Sequence, residues 1–214
     1  MRNRFDEQLF ELNREIIEVG SACEEVIANA SNALTTGNLE LAKSIKETGQ
    51  TIDQMERDIE RRCIKLLLHQ QPVAHDLHLI SAALKMITDM ERIGDQAEDI
   101  AEIVTYLDGY TFEGIGIVED MAKEIIDMVT SSIDAFVKKD MSLAEKVIRQ
   151  DDVVDDYFLK IKSDIISMIK NHSADGELAL DMLMVAKYFE RIGDHAVNIA
   201  EWVIYSVTGK HKEV

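Results

Sequence analysis

The sequence predicts an all-α protein made of two tandem three-helix bundles, with six long helices in two halves related by a pseudo-twofold axis. The 214-residue chain has one proline and ten glycines, a composition that favours long helices over a fold with many turns. Apolar residues recur every three or four positions, which is the period of an amphipathic helix. The pentapeptide Glu-Arg-Ile-Gly-Asp occupies residues 91–95 and, 99 residues later, 190–194, so the chain contains one unit twice.

The first repeat is predicted to span residues 1–108 and to begin with two helices. The first helix is expected to end near Thr36-Gly37, and Asn38 is a candidate N-cap for the second helix. The second helix contains Gly49 and is expected to end before Gln70-Gln71-Pro72, because proline is tolerated best in the first turn of the helix that follows.

The third helix is predicted from about Val73 to Tyr106, with an inward apolar stripe that includes Leu77. Three of the ten glycines fall close together after it. Residues 109–116 are therefore predicted to be the linker between the repeats.

The second repeat is predicted to span residues 117–214 and to contain three more helices. Lys138-Lys139 favour the C-terminal end of the fourth helix, and Asp140 is a candidate cap for the fifth. The fifth helix carries an inward stripe that reaches Ile169, and the sixth is expected from about Glu177 to Val207.

The strongly negative net charge of the chain limits the kinds of partner that it can bind. With 23 basic and 41 acidic residues the formal net charge is −18, so we expect repulsion from nucleic acid and from anionic lipid. The surplus of carboxylates suits metal cations or a basic protein surface, and plain solubility is the alternative explanation.

Several features favour a cytoplasmic protein. The first 15 residues are charged throughout, so no signal peptide is expected, and no window of about 18 residues lacks charge, so no membrane insertion is expected. Cys23 and Cys63 share no metal-ligand spacing and are expected to be buried, reduced thiols.

Each copy of the pentapeptide carries a Glu and an Asp four residues apart, on one face of a helix. Such like charges repel, and a bound cation would reverse the sign of that effect. About eight acidic pairs at this spacing are expected by chance among 41 acids, so the weight rests on repetition at matched places. The alternatives are a metal site and a repulsive, solvated face kept by duplication.

Carboxylate ligands select Mg²⁺, Ca²⁺, Mn²⁺ or iron, and Zn²⁺ less readily. A di-iron oxidase would need Glu-x-x-His motifs, and Gly94 and Gly193 stand at the histidine positions. We expect these glycines to mark close approach of two helices, because glycine inside a helix costs stability. His195 is expected to pack or to face solvent rather than to bind metal, since adjacent helical residues point about 100° apart.

The remaining polar residues near the motifs have two interpretations each. Asp99 and its counterpart Asn198 would either bind the ion or support its ligands. Arg92 and Arg191 would either form ion pairs that hold helices together, which we favour, or contact a phosphate or fix a carboxylate in place. The histidines near Pro72 are expected to be capping or solvated side chains; they are His69, His75 and His78.

The doubled pentapeptide, the Gln70-Gln71-Pro72 turn and Phe5-Asp6-Glu7 resemble the PhoU family over essentially the whole chain. The resemblance implies a cytoplasmic, dimeric protein that restrains phosphate import and phosphate-starvation signalling. Its implied partners are the ATPase of a phosphate ABC transporter and a membrane sensor histidine kinase.

The resemblance also implies multinuclear iron or zinc clusters bound by carboxylates. Carried over position by position, the implied metal ligands are Asp53, Glu91 and Asp95 in the first repeat, and Asp151, Asp155, Glu190 and Asp194 in the second. Gly49 stands where the family often has an acid, so the first cluster is expected to hold fewer or weaker ions. His78 stands where arginine is common, which weakens any expectation of an anion contact there.

Three functional hypotheses follow. The first, which we favour, is a non-enzymatic regulator that binds metal and protein partners, since the chain has no nucleophile–base pair, glycine-rich phosphate loop or cofactor motif. The second is a structural helical adaptor without metal. The third is a carboxylate-bridged metalloenzyme, which is disfavoured because the chain lacks a spaced set of histidines.

Overall fold

A computed structural model describes residues 2–69, 73–108, 116–171 and 175–210. These residues form six α-helices, and no β-strand occurs among them. The helices are α1 (Arg2–Thr36), α2 (Leu39–His69), α3 (Ala74–Tyr106), α4 (Gly116–Lys138), α5 (Met141–Lys170) and α6 (Gly176–Thr208). The all-α prediction, with three long helices in each half of the chain, is confirmed.

Two predicted helix caps are present. The side chain of Asn38 accepts a hydrogen bond from the backbone N–H of Leu41 at 3.1 Å, and Asp140 accepts one from Leu143 at 3.1 Å. Each cap satisfies a backbone donor that the first turn of a helix leaves without an intrahelical partner. The sequence therefore fixes where α2 and α5 begin.

The predicted connections fall mainly on residues outside the described ranges. The residues outside the described ranges are residue 1, the turn at 70–72, residues 109–115 of the linker, residues 172–174 between α5 and α6, and residues 211–214. The side chains of His69 and His75 also lie outside the described part of the chain. Gly116, predicted as linker, is the first residue of α4, and Val73 is the N-cap of α3 rather than its first residue.

Each repeat is a three-helix bundle, and the two bundles pack side by side. Helix α3 lies against α6, and α1 lies against α4. Both pairs are antiparallel, since Asp89 in the middle of α3 contacts His195 while His78, near its start, contacts Tyr205. Helices α2 and α5 lie on the outside, and each packs against the pentapeptide-bearing helix of its own repeat.

The hydrophobic core follows the predicted stripes, with two errors near helix ends. Leu77 and Ile169 are 44% and 47% exposed. They lie in the first turn of α3 and the last turn of α5, where each bundle gives way to a connection. The prediction failed there because periodicity marks which face a residue occupies and not how far the neighbouring helix extends.

Both cysteines are buried and free, as predicted. Burial raises the pKa of the Cys63 thiol to about 12 and that of Cys23 further still, so both remain protonated. None of the helices in the described ranges has the length and hydropathy of a membrane span.

Candidate metal centres

Three predicted ligands of the first repeat converge at the contact of α2 with α3. One carboxylate oxygen each from Asp53, Glu91 and Asp95 lies within 4.8 Å of the others. All three side chains are partly buried. Within the described ranges, no other set of three or more His, Cys, Asp and Glu side chains meets this spacing.

A glycine allows the two helices to approach closely at this point. A Cβ at Gly94 would lie 3.4 Å from Cδ1 of Ile52, which precedes Asp53 in sequence. In the second repeat, a Cβ at Gly193 would lie 3.2 Å from Cγ1 of Val154 and 3.6 Å from Oδ1 of Asp151. The predicted close approach is therefore confirmed in both repeats, and it brings acids of two helices to one surface.

The electrostatics of the first group favour protonation or a bound cation. Burial, and then the neighbouring Asp95, raise the pKa of Glu91 above its ordinary value. Arg92 partly offsets this, with Nη1 at 2.8 Å from Asp95 and Nε at 3.5 Å from Glu91. The preferred interpretation of Arg92 as an ion pair between helices was wrong, because its partners lie on α3 itself within one turn.

A fourth carboxylate, which the sequence analysis missed, lies beside this group. The Glu98 side chain occupies the space next to Gly49, where a Cβ on that glycine would lie 2.8 Å from Cδ and 3.1 Å from Cγ of Glu98. Burial, and then Asp53 and Asp95, raise the pKa of Glu98. Glu98 therefore belongs to the same electrostatic group.

A signal for Glu98 was present in the sequence. Glu91, Asp95 and Glu98 follow an i, i+4, i+7 spacing, which places all three on one helical face. Glu98 is not repeated, since Val197 stands at the equivalent position of the second repeat, and repetition was the criterion for a predicted ligand.

The four predicted ligands of the second repeat lie close enough to interact, on α5 and α6. Burial, followed by Asp194, Asp155 and Glu190, raises the pKa of Asp151 to about 6. Burial and then Glu190 also raise the pKa of Asp194. Carboxylates perturb one another in this way when they share a confined site.

The second group is less convergent than the first, because one of its acids already has a cation. Lys187 contacts both carboxylate oxygens of Glu190, at 2.5 Å from Oε1, and Glu190 is only 13% exposed. No three oxygens of this group come within 4.8 Å of one another as those of the first group do. The equivalent of Lys187 in the first repeat is Thr88, so this internal cation is particular to the second repeat.

His195 and Asn198 do not face the carboxylate group. Nδ1 of His195 lies 2.9 Å from Oδ1 of Asp89, and the Asn198 amide donates to the same oxygen at 3.0 Å. These contacts join α6 to α3 across the two repeats. The expectation that His195 packs rather than binds metal agrees with this geometry.

Arg191 and Asp99 lie near the same contact between α3 and α6. Burial, then Asp95 and Glu102, raise the pKa of Asp99, while Arg191 lowers it. Arg191 therefore acts on Asp99 across the two repeats, but the two side chains, both within the described ranges, form no ion pair, so the favoured interpretation of Arg191 as an ion pair between helices stays a prediction.

His78 is neither a cap nor a solvated side chain, so that expectation was wrong. It lies in the second turn of α3, partly buried, with its ring centroid 5.4 Å from that of Tyr205. The error came from expecting solvent around the start of α3, whereas the end of α6 covers His78 there.

The donor chemistry of both groups fits a metal ion. The donors are carboxylate oxygens only, the set that hard cations such as Mg²⁺, Ca²⁺, Mn²⁺ and iron prefer and that Zn²⁺ also accepts. Asp53, Glu91 and Asp95 would hold an ion in the first repeat, and Asp151, Asp155, Glu190 and Asp194 in the second.

Comparison with known proteins connects this fold to a family. A family model, the PhoU domain, matches residues 16–104 and again 118–203, once in each bundle. A relative from Clostridium acetobutylicum, named phosphate-specific transport system accessory protein PhoU homolog, is 34% identical and covers 100% of this chain and 98% of its own length. The protein of the same name from Pseudomonas aeruginosa is 33% identical over 96% of this chain and 86% of its own.

Solved structures agree with these sequence matches. The crystal structure of PhoU from Pseudomonas aeruginosa has a TM-score of 0.89 at 33% identity, covering 96% of this chain and 100% of that one. The phosphate transport system regulatory protein PhoU from Streptococcus pneumoniae has a TM-score of 0.90 at 26% identity, covering 98% and 100%. With the family model matched in both halves and relatives aligned over nearly their full length, this chain belongs to the PhoU family.

Proposed function

We propose that this protein is a non-enzymatic accessory regulator of phosphate uptake that also binds metal ions. It acts in the cytoplasm as a homodimer and negatively regulates a phosphate ABC transporter and the sensor histidine kinase of phosphate-starvation signalling. The observation that carries the phosphate role is the tandem PhoU match, together with relatives named as accessory proteins of phosphate-specific transport.

The metal role is supported by the paired carboxylate groups. In each repeat, burial and then nearby acids, which come from both adjacent helices, raise the pKa of one carboxyl group, that of Glu91 in the first and of Asp151 in the second. Such an arrangement costs stability unless protons or cations neutralise it. We infer that iron or zinc, or else Mn²⁺, Mg²⁺ or Ca²⁺, provides the neutralising charge.

A link between metal and regulation follows from where the acids lie. The carboxylates of both groups remain partly exposed, so ligands outside the chain can reach them. When bound, a metal ion would supply positive charge on an otherwise acidic surface. The chain's own acids would hold that charge where a phosphate group or an acidic segment of the transporter ATPase can meet it.

The regulatory role is tested in cells that lack the gene for this protein. Loss of the protein is expected to increase uptake of labelled phosphate when external phosphate is plentiful, and to increase autophosphorylation of the sensor kinase. Wild-type protein should restore both. Unchanged uptake and kinase activity in the deletion strain would contradict negative regulation.

The partners are tested by affinity capture from membranes of cells grown in high and in low phosphate. We expect the transporter ATPase and the kinase to be retained more strongly from high-phosphate cells. Retention that is equal at both phosphate levels, with no bound metal in the same sample, would instead favour a structural adaptor. Turnover of phosphate esters or of dioxygen by the pure protein would favour the metalloenzyme.

A further inference from the structure

We propose that Glu98 is the fourth metal ligand of the first repeat and replaces the acid that α2 lacks at Gly49. This inference rests on the metal binding proposed above and assigns a ligand that the pentapeptide does not contain. It concerns two positions at which the repeats differ: Gly49 and Glu98 in the first correspond to Asp151 and Val197 in the second.

The backbone at Gly49 provides space for the Glu98 carboxylate. A Cβ at that position would lie 2.8 Å from Cδ and 3.1 Å from Cγ of Glu98, so any larger residue would displace the carboxylate. The glycine otherwise costs a helix about 1 kcal/mol relative to alanine. At this position it leaves room for the Glu98 carboxylate against the backbone of α2.

Glu98 interacts electrostatically with acids of the first repeat's cluster. Burial, followed by the charges of Asp53 and Asp95, raises the pKa of Glu98, and Asp99 raises it less. Lys46 is the cation that acts on it from α2. The Glu98 carboxylate thus lies beside the three converging oxygens rather than among them, at the Gly49 position of α2.

If Glu98 is counted, each repeat has four acids at these matched positions. An aspartate on α5 and a valine on α6 in the second repeat correspond to a glycine on α2 and a glutamate on α3 in the first. Glutamate has one more methylene than aspartate, and this extra length allows an acid on α3 to reach the α2 side of the group. The loss of the acid at Gly49 therefore does not by itself predict a weaker first centre.

The test uses the full chain with the second centre removed by Glu190→Ala and Asp194→Ala. Into this background we place Glu98→Gln, which keeps the side-chain shape and removes its charge. The control is Glu102→Gln, the same change one turn further along α3. The rescue variant combines Gly49→Asp with Glu98→Val and so copies the second repeat. Zn²⁺ binding is measured by calorimetry, and helical circular dichroism checks that each variant is folded.

Glu98→Gln is expected to weaken Zn²⁺ binding by at least about tenfold, because even residues that only support metal ligands cost 10–100-fold when removed. Glu102→Gln should change it by less than about threefold, as expected for a more distant, screened charge. The rescue variant should bind more tightly than Glu98→Val alone.

Equal effects of Glu98→Gln and Glu102→Gln on Zn²⁺ binding would overturn the assignment of Glu98. A folded rescue variant that binds Zn²⁺ no better than Glu98→Val would also overturn it. Failure of the proposed metal binding is distinguishable from both results. In that case the wild-type chain itself would bind no Zn²⁺, and the inference would fall with the proposed function.

Discussion

The two repeats place four carboxylates on equivalent surfaces, but they take them from different residues. In the second repeat each of two helices contributes two acids, at Asp151 and Asp155 on α5 and at Glu190 and Asp194 on α6. In the first, α2 contributes Asp53 at these positions, Glu56 of the same helix acts on Glu91, and the Glu98 side chain fills the space beside Gly49. The comparison teaches that the two repeats gather acids at the same helix contact but take them from different positions.

The repeats also differ in the cation that partly neutralises each group. Arg92 pairs with Asp95 from the same helix and is 55% exposed. Lys187 holds both oxygens of Glu190, and its Nζ lies 5.4 Å from the ring centroid of Phe158. Both cations are substantially exposed, but Lys187 pairs with a carboxylate that is 13% exposed and Arg92 with one that is 41% exposed, so Lys187 is the stronger competitor for a metal ion.

The largest expected effect is on metal affinity after removal of these cations. Lys187→Met should tighten Zn²⁺ binding at the second centre by about tenfold, because hydrogen bonds to charged groups contribute about 1.5–3 kcal/mol and the metal must displace the one that Lys187 makes to the mostly buried Glu190. Calorimetric titration of the variant, with the first centre removed by Asp53→Asn and Asp95→Asn, measures this change.

Arg92→Met is the matched control in the first repeat. It should change affinity by less than about threefold, since exposed ion pairs contribute about 0–1 kcal/mol. Equal changes in Zn²⁺ affinity in Lys187→Met and Arg92→Met would show that the exposure of these ion pairs does not distinguish the two centres.

A smaller effect is expected on the contact between the repeats. His195→Leu removes the partner of Asp89 and should lower the free energy of unfolding by about 1 kcal/mol, because a mostly buried carboxylate loses a hydrogen bond. Gln96 occupies the position of His195 in the first repeat, and its side-chain oxygen is buried without a hydrogen-bond partner. Gln96→Leu should therefore be neutral or stabilising. Urea unfolding measures both, and an equal loss of stability in the two variants would contradict this comparison.

The smallest expected effect is on pH dependence in the absence of metal. The pKa of Asp151 is raised from 3.8 to about 6, so the folded state binds this proton more tightly than the unfolded state. The resulting stability is fully present below about pH 4 and is lost as the pH rises through about 6. Asp151 is partly exposed, so after allowance for screening we expect less than about 1 kcal/mol.

Thermal unfolding of chelator-treated protein between pH 4 and pH 7.5 measures this loss as a shift of about 2–4 °C per kcal/mol. Asp151→Asn should remove part of the dependence of the melting temperature on pH. Glu91→Gln should remove less, because the pKa of this carboxyl group is raised less. A slope that Asp151→Asn leaves unchanged would contradict the pKa assignment.

Much of the fold was predictable from the sequence, because helical periodicity and capping depend on local chemistry. The caps at Asn38 and Asp140 are confirmed, and the ends of α1 and α3 fall where predicted. The exposure of Leu77 and Ile169 was not predictable, since it depends on how far neighbouring helices extend in three dimensions.

The candidate site was predictable where the two repeats agree and not where they differ. Repetition identified the acids of the pentapeptide and, with Gly94 and Gly193, the close helix contact. The same criterion excluded Glu98 and Lys187, because Val197 and Thr88 occupy the corresponding positions. Only the packing of α2 on α3 shows that the space left by a glycine is filled by an acid from the next helix.

The most direct test of the central claim, that cations neutralise both carboxylate groups, is elemental analysis of untagged protein purified without chelator. Wild-type protein is compared with Asp53→Asn plus Asp95→Asn and with Asp151→Asn plus Asp194→Asn. We expect the wild type to contain metal from both centres and each double variant, still folded, to lose the metal of its own repeat only. Wild-type protein without stoichiometric metal, or with a metal content that neither double variant changes, would contradict the claim.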